Sequence, residues 1–173
     1  MGKKITLISL VILTLINCEN KDWLNGKLTK EDENSIHLLV NNYILESTND
    51  DFQENRKKLD KFFSPDFDFF FPGEIFEAYV YDSYSIKRIE FDTERKEYKV
   101  SVVFHLSWGI DKRTIEKIQI SSPQNLWITK SKGKWKIKSI YKPDIFSKEG
   151  IKKFAIRYQK DFPEMSKDIL EKF

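Results

Sequence analysis

Residues 98–108 constrain the fold more than any other stretch. Tyr98, Val100, Val102, Phe104, Leu106 and Trp108 alternate with Lys99, Ser101, Val103, His105 and Ser107. Successive side chains of a strand point to opposite faces, so this pattern specifies a long strand with one buried and one largely polar face. The flanking sequence supplies neighbours for it. Segments 75–81 and 84–91 precede it, followed by the turn Asp92-Thr93-Glu94-Arg95-Lys96, and Gly109 ends it. Segments 114–120 and 125–130 follow, separated by Ser121-Ser122-Pro123-Gln124. Ser131-Lys132-Gly133-Lys134 is a hairpin signal, and 135–141 is the final strand. Short connections among about six strands predict an antiparallel meander.

Helices flank the strands. Thr29 is a suitable N-cap, with Glu31, Asp32 and Glu33 in the first turn. Ile36, Leu39, Val40, Tyr43 and Ile44 then form one apolar stripe, and Ser47-Thr48-Asn49-Asp50 closes the helix. A second helix is expected to carry Phe52, Leu59, Phe62 and Phe63 on one face and to stop at Ser64-Pro65. The run Phe67-Asp68-Phe69-Phe70-Phe71 is too aromatic for disorder. It reads as a loop or short helix plugging one end of the core, or else as an aromatic pocket wall. After Pro143 a helix starts at Ser147 with the stripe Ile151, Phe154, Ala155 and Tyr158. Pro163 opens a last amphipathic segment with Met165, Ile169 and Leu170. The expected class is α+β: N-terminal helices packed on a curved antiparallel sheet, plus a C-terminal helix. One domain is expected over 29–173, its helical tail beginning at about 147.

Paired amphipathic helices, the Phe-rich elbow and the ending Leu126-Trp127-Ile128, turn, Gly133-Lys134-Trp135-Lys136-Ile137 resemble the nuclear-transport-factor-2-like cone fold. The likeness covers residues 29–141 and leaves the tail outside it. It implies a sheet curled around a cavity that binds a ligand, hosts catalysis or is filled; fold alone does not choose among these.

The N-terminus carries an address. Lys3 and Lys4 precede an apolar run from 5 to 16, which closes on Leu15-Ile16-Asn17-Cys18. A charged start, a short apolar stretch and a processing site define a secretory signal peptide, here 1–17. With the chain's one cysteine just past that site, the stretch resembles the lipobox of bacterial lipoproteins. Leu15 matches that pattern, and Asn17 stands where the family carries a smaller residue. The resemblance implies lipid attachment at Cys18, cleavage before it, and a cell-envelope location, extracytoplasmic and membrane-anchored. The apolar run is well short of the roughly 20 residues that cross a bilayer as a helix. Residues 18–28 are expected to be the lipidated cysteine and a short tether.

Charge is distributed unevenly. Residues 19–97 hold 19 acidic and 11 basic side chains, and 112–160 hold 14 basic and 3 acidic. Such asymmetry points to an anionic partner surface, or to two halves that neutralise each other on packing; the second is the expectation. Lys130, Lys132, Lys134, Lys136 and Lys138 occupy alternate positions through the last hairpin. They form either a solvated face that discourages edge pairing or a basic strip for lipid headgroups or an acidic partner. Nucleic acid does not suit an exported, tethered chain.

Catalytic signals are sparse. No phosphate loop, nucleophile elbow or metalloprotease helix is present in the sequence. Two histidines, His37 and His105, and one cysteine are too few for an expected metal site, and no cofactor is expected. His37 reads as surface and His105 as a sheet histidine. Enzymes of the cone fold such as the ketosteroid isomerases set an Asp or His against Tyr donors in an apolar cavity. On that likeness the alternative base is Asp68 or His105, with Asp66 and Tyr79, Tyr81 or Tyr84 as further residues of the right type. The expectation is a non-enzymatic lipoprotein that binds a hydrophobic small ligand or a partner protein. The alternative is a cavity enzyme of the isomerase or dehydratase type.

Overall fold

The computed structural model describes residues 22–49, 57–70, 77–111, 114–141 and 144–173, with side chains throughout except at 68–70 and 141. Helix α1 (Lys30–Ser47) starts at the expected cap. The Thr29 hydroxyl accepts from the Asp32 N–H at 3.1 Å, and the Asp32 carboxylate accepts from the Thr29 N–H. Each satisfies a donor that the first turn leaves without an intrahelical partner. The stripe buries Ile36, Val40, Tyr43 and Ile44. The helix closes at Thr48, whose N–H and hydroxyl both bond the Ile44 carbonyl. Of the second expected helix, the described part is a turn at 57–59 and a 3-10 turn, Asp60–Phe62. Phe52 lies outside the described residues. Phe63 to Pro65, expected to finish that helix, begin a strand instead.

The sheet contains β1 (Phe63–Phe70), β2 (Ala78–Asp92), β3 (Glu97–Ile110), β4 (Ile115–Ser131), β5 (Lys134–Tyr141) and β6 (Asp144–Phe146), in the order β1-β5-β4-β3-β2-β6. Six strands were expected, but not these six. The Phe-rich run, read as loop or short helix, is part of strand β1 as far as Phe70, Phe71 lying outside the described residues; aromatic residues suit a pleated, half-buried surface. From Ala78 on, the expected segments 75–81 and 84–91 belong to one bulged strand, β2, residues 75–76 lying outside the described residues. Segments 114–120 and 125–130 belong, from Ile115 on, to one strand, β4. Pro123 is tolerated inside β4 because pairing with β5 begins only at Leu126, so that stretch lies at an open edge.

Strands β2 to β5 form the expected antiparallel meander. Both edges differ: β1 runs parallel to β5, and β6 parallel to β2. The sheet is therefore mixed rather than antiparallel throughout. Neither edge strand is joined by a hairpin to the strand it pairs with, so nothing local imposes antiparallel pairing. Its curl follows from chain length. A flat sheet would set β5 and β6 about 19 Å apart, four strand spacings. The three steps from Tyr141 to Asp144 cover at most about 11 Å. The far edge must bend back.

Two cores sit on opposite faces. The larger packs α1 against Tyr98, Val100, Val102, Phe104 and Leu106 of β3 and against β4 and β5. The smaller unites Ala78, Val80 and Ile110 with Ile151 and Ala155 of α2 (Lys148–Arg157) and with Met165 and Ile169 of α3 (Pro163–Lys172). A bulge between Leu106 and Trp108 divides them. Leu106 pairs with Tyr81 in the first core, whereas Trp108 pairs with Val80 in the second. Trp108 was expected on the Leu106 face; the extra residue turns it over. Its ring meets Phe173 edge-on at 5.7 Å. The tail thus packs against the far end of β2 and β3. Ser147 caps α2 as expected, accepting from the Gly150 N–H at 2.9 Å. Ile151 and Ala155 of the expected stripe are buried, while Leu170 is exposed.

Of the expected tether 18–28, the described part, 22–28, contacts the domain, and 18–21 lie outside the described residues. Asp22–Asn25 form a 3-10 turn whose Trp23 ring meets Trp135 edge-on at 5.8 Å. The Trp23 carbonyl accepts from the Tyr98 hydroxyl at 2.8 Å. Gly26, at φ +78°, lies so close to Phe91 that a Cβ would sit 2.9 Å from its ring.

Candidate functional site

Beneath the C-terminal end of α1, the curled sheet leaves a cavity of about 30 Å³ lined by residues including Tyr43, Thr48, Phe104, Gln124, Leu126 and Ile145. That is room for a water or two. Sites for drug-sized ligands run to roughly 300–1,000 Å³. Among the described residues, no carboxylate or imidazole is in its lining. Burial pushes the Tyr43 hydroxyl well above the ordinary phenol range, with the neighbouring Ser47 hydroxyl working the other way. Phe62 and Phe63 pack edge-on against the Tyr43 ring at 5.9 and 5.8 Å, and Phe67 stacks on Phe63 at 3.8 Å. Of the Phe-rich run, Phe67 thus packs against the larger core from a strand, and the side chains of Phe69, Phe70 and Phe71 lie outside the described residues.

The tyrosines expected as donors, Tyr79, Tyr81 and Tyr84, are not among the lining residues, and each is engaged with an amide, a hydroxyl or a carboxylate. Tyr81 and Thr48 share a hydroxyl–hydroxyl bond of 3.1 Å. Tyr84 donates to Asn41 at 3.1 Å, and Tyr79 to Glu77 at 3.1 Å. His105 does not join them. It is exposed, next in the strand to inward-facing Phe104 and so on the other face, with Nδ1 3.3 Å from the Ser121 hydroxyl. His37 is likewise exposed. Asp68 stands opposite Ser139 in the β1–β5 register, and its side chain lies outside the described residues. Asp66 is exposed and 3.3 Å from Lys138; the Ser64 hydroxyl first, then its own backbone N–H and Lys138, lower its pKa. Among the described residues, no three His, Cys, Asp or Glu side chains converge as metal ligands. Cys18 lies outside the described residues.

The five hairpin lysines do not share one environment. The hairpin itself turns on Lys132 at φ +50° and Gly133 at +74°, the two-residue geometry that matches strand twist. Lys130 reaches inward to Asp32 at 3.1 Å. Lys138 bridges Glu97 at 2.7 Å and Asp66, and Lys136 donates to the Lys61 carbonyl. Lys132 and Lys134 stand exposed at the tip. The Glu97 carboxylate raises the Lys138 pKa against the pull of partial burial, and Asp66 adds to it. Lys148 meets Asp82 at 3.2 Å. These pairs join acidic residues of the front half to basic residues of the back half, as the internal-neutralisation reading expects.

Asp32 is the residue the sequence undervalued. Its carboxylate accepts from Thr29, from Lys130 and from the Trp135 indole N–H at 3.0 Å. Burial alone would raise its pKa; these donors together outweigh burial and hold it below the usual carboxylate value. Burial first, and then the Asp32 charge, push the Tyr98 hydroxyl up to about 12. The Thr-x-x-Asp spacing could have signalled the cap, but nothing local signalled the indole. Among the described residues, no helix is long and apolar enough to cross a membrane. Compared with known families, curated proteins and solved structures, the chain matches none of them.

Proposed function

We propose that this chain is an envelope-anchored bacterial lipoprotein, lipidated at Cys18, whose domain acts by binding rather than by catalysis. The N-terminal address motivates the anchor. The observation that carries the binding role is the small interior: a cavity of about 30 Å³ in whose lining, among the described residues, there is no acid or base. That volume favours a partner protein over an enclosed hydrophobic ligand. Leu38 and Leu45, two turns apart on α1 and 62 % and 57 % exposed, are apolar groups available to such a partner. Within this reading the curled sheet closed by α1 is a nuclear-transport-factor-2-like cone, supported by its curl and by the Trp-bearing final hairpin.

Metabolic labelling with a fatty-acid probe tests the anchor. The native chain should incorporate label and fractionate with membranes, and Cys18→Ser should do neither. Equal labelling and fractionation of the two would contradict the proposal.

A further inference from the structure

The docked N-terminal turn fixes which end of the domain would meet the membrane. Only four residue steps separate Cys18 from Asp22, where the docked 3-10 turn begins. Four extended steps reach at most about 14 Å, less than half the thickness of a typical bilayer with its headgroups. An anchor at Cys18 therefore holds the Asp22 end of the domain at the headgroups, whatever the rest of the chain does.

That end is built from neighbouring pieces. Trp23 and Leu24 are partly exposed there. Trp23 packs on Trp135, which stands opposite Lys130 two residues before the tip of the last hairpin. Gly26 rests on Phe91, beside the β2–β3 turn, so the β2–β3 and β4–β5 turns lie at this end and the β3–β4 turn at the other. Lys27, Lys30, Arg95, Lys96, Lys132 and Lys134 are exposed on this end. The exposed carboxylates near them are Asp22, Glu31, Glu33 and Glu94. The hairpin tip is cationic without a neighbouring acid in its own turn, since Lys130 has already taken Asp32. A tryptophan at the interface flanked by lysines is the composition that membrane surfaces favour.

Resting on the lipoprotein reading above, we propose that the Trp23 turn and the Lys132–Lys134 hairpin tip form a seat for the anionic lipid surface that holds the Cys18 anchor. The domain then stands with α2 and α3 directed away from the bilayer, because the smaller core lies at the opposite end of β2 and β3.

The test uses the full lipidated protein in vesicles of phosphatidylcholine with one quarter phosphatidylglycerol, footprinted with an amine-acylating reagent and read by mass spectrometry against the protein in detergent. Lys132 and Lys134 should be protected several-fold on vesicles, while Lys160 and Lys167 of the tail react equally in both. A second arm measures vesicle partition of the full chain carrying Cys18→Ser, with and without Lys132→Asn and Lys134→Gln. Asn tolerates the left-handed backbone at 132. At about 1 kcal/mol per lysine, loss of both should weaken partition about thirty-fold. Vesicles lacking phosphatidylglycerol should show no such difference. Uniform acylation, or protection confined to the tail lysines, would overturn the seat while native flotation leaves the anchor standing. If Cys18→Ser floats as well as the native chain, the anchor reading fails and takes the seat with it.

Discussion

The two cores of this molecule are closed in different ways. The larger is sealed by elements far apart in sequence: α1, both halves of the meander and the returning β1, with Asp32 joining the start of α1 to the last hairpin. The smaller is sealed by the C-terminal helices against the far end of β2 and β3. Besides those shared strands, α2 is tied to the end of α1 by a clasp in which the Ser147 N–H donates to the Thr48 carbonyl at 2.8 Å. The difference teaches that the first core cannot open without dismantling the sheet, whereas the second can be released with the sheet intact. Local opening at less than the global free energy is expected for such a unit.

The sharpest way to break this comparison is a pair of cavity variants. Ile137→Ala in the first core and Ile169→Ala in the second each remove a fully buried side chain, at about 2–5 kcal/mol. Ile137→Ala should lower the midpoint of the whole unfolding transition. Ile169→Ala should instead expose the amides of α2 and α3 to hydrogen exchange while β3 and β4 stay protected. Equal loss of protection everywhere would make the two cores one cooperative unit.

Next in size is Gly150→Ala. A Cβ there would lie 2.1 Å from the Thr48 carbonyl oxygen, so backbone must move. The overpacking cost, about 1–3 kcal/mol, should exceed the ~1 kcal/mol that alanine gains as a helix former. Urea denaturation should show destabilisation, with exposed Glu149→Ala as a near-neutral control. A stabilised Gly150→Ala would mean the clasp yields freely.

Asp32→Asn probes the first core's seam. Losing the charged partner of Lys130 and weakening the cap should cost about 1–2 kcal/mol. The sign with pH follows from the lowered folded-state pKa of Asp32. Its stabilisation is full above the unfolded value of about 3.9 and is lost as pH falls through the lower folded value. The variant should therefore flatten the acid limb of stability against pH below about 4. An unchanged acid limb would remove Asp32 from that role. The smallest effect belongs to Lys138→Met. Its side chain is 35 % exposed, and partly exposed pairs contribute at most about 1 kcal/mol, so a loss of unfolding free energy in urea larger than that would mark Glu97 as a buried charge left unpaired.

What could be read from the sequence was local. The Thr29 and Ser147 caps, the alternation along β3 and the Lys132-Gly133 turn each depend on residues within a few positions of one another. Distant partners were not legible. Trp23 lay in a stretch polar enough to pass for a tether, and its packing depends on Trp135. Parallel edges come from strands that pair without a hairpin, for which periodicity carries no sign. The Leu106–Trp108 bulge keeps apolar residues in apparent alternation while moving one to the other face. Asp82-Ser83 and Pro123 looked like breaks because bulges and an open edge absorb what would end an ideal strand. For the site, the sequence offered Asp68 and His105 by residue type alone, and the structure sets His105 on the solvent side.

The central claim is that this domain is moored through Cys18, and intact-mass spectrometry of the protein extracted from membranes addresses it most directly. The account predicts a chain beginning at Cys18 with the added mass of a diacylglyceryl thioether and an N-acyl group. A chain retaining Met1, or one beginning at Cys18 with a bare thiol, would contradict it.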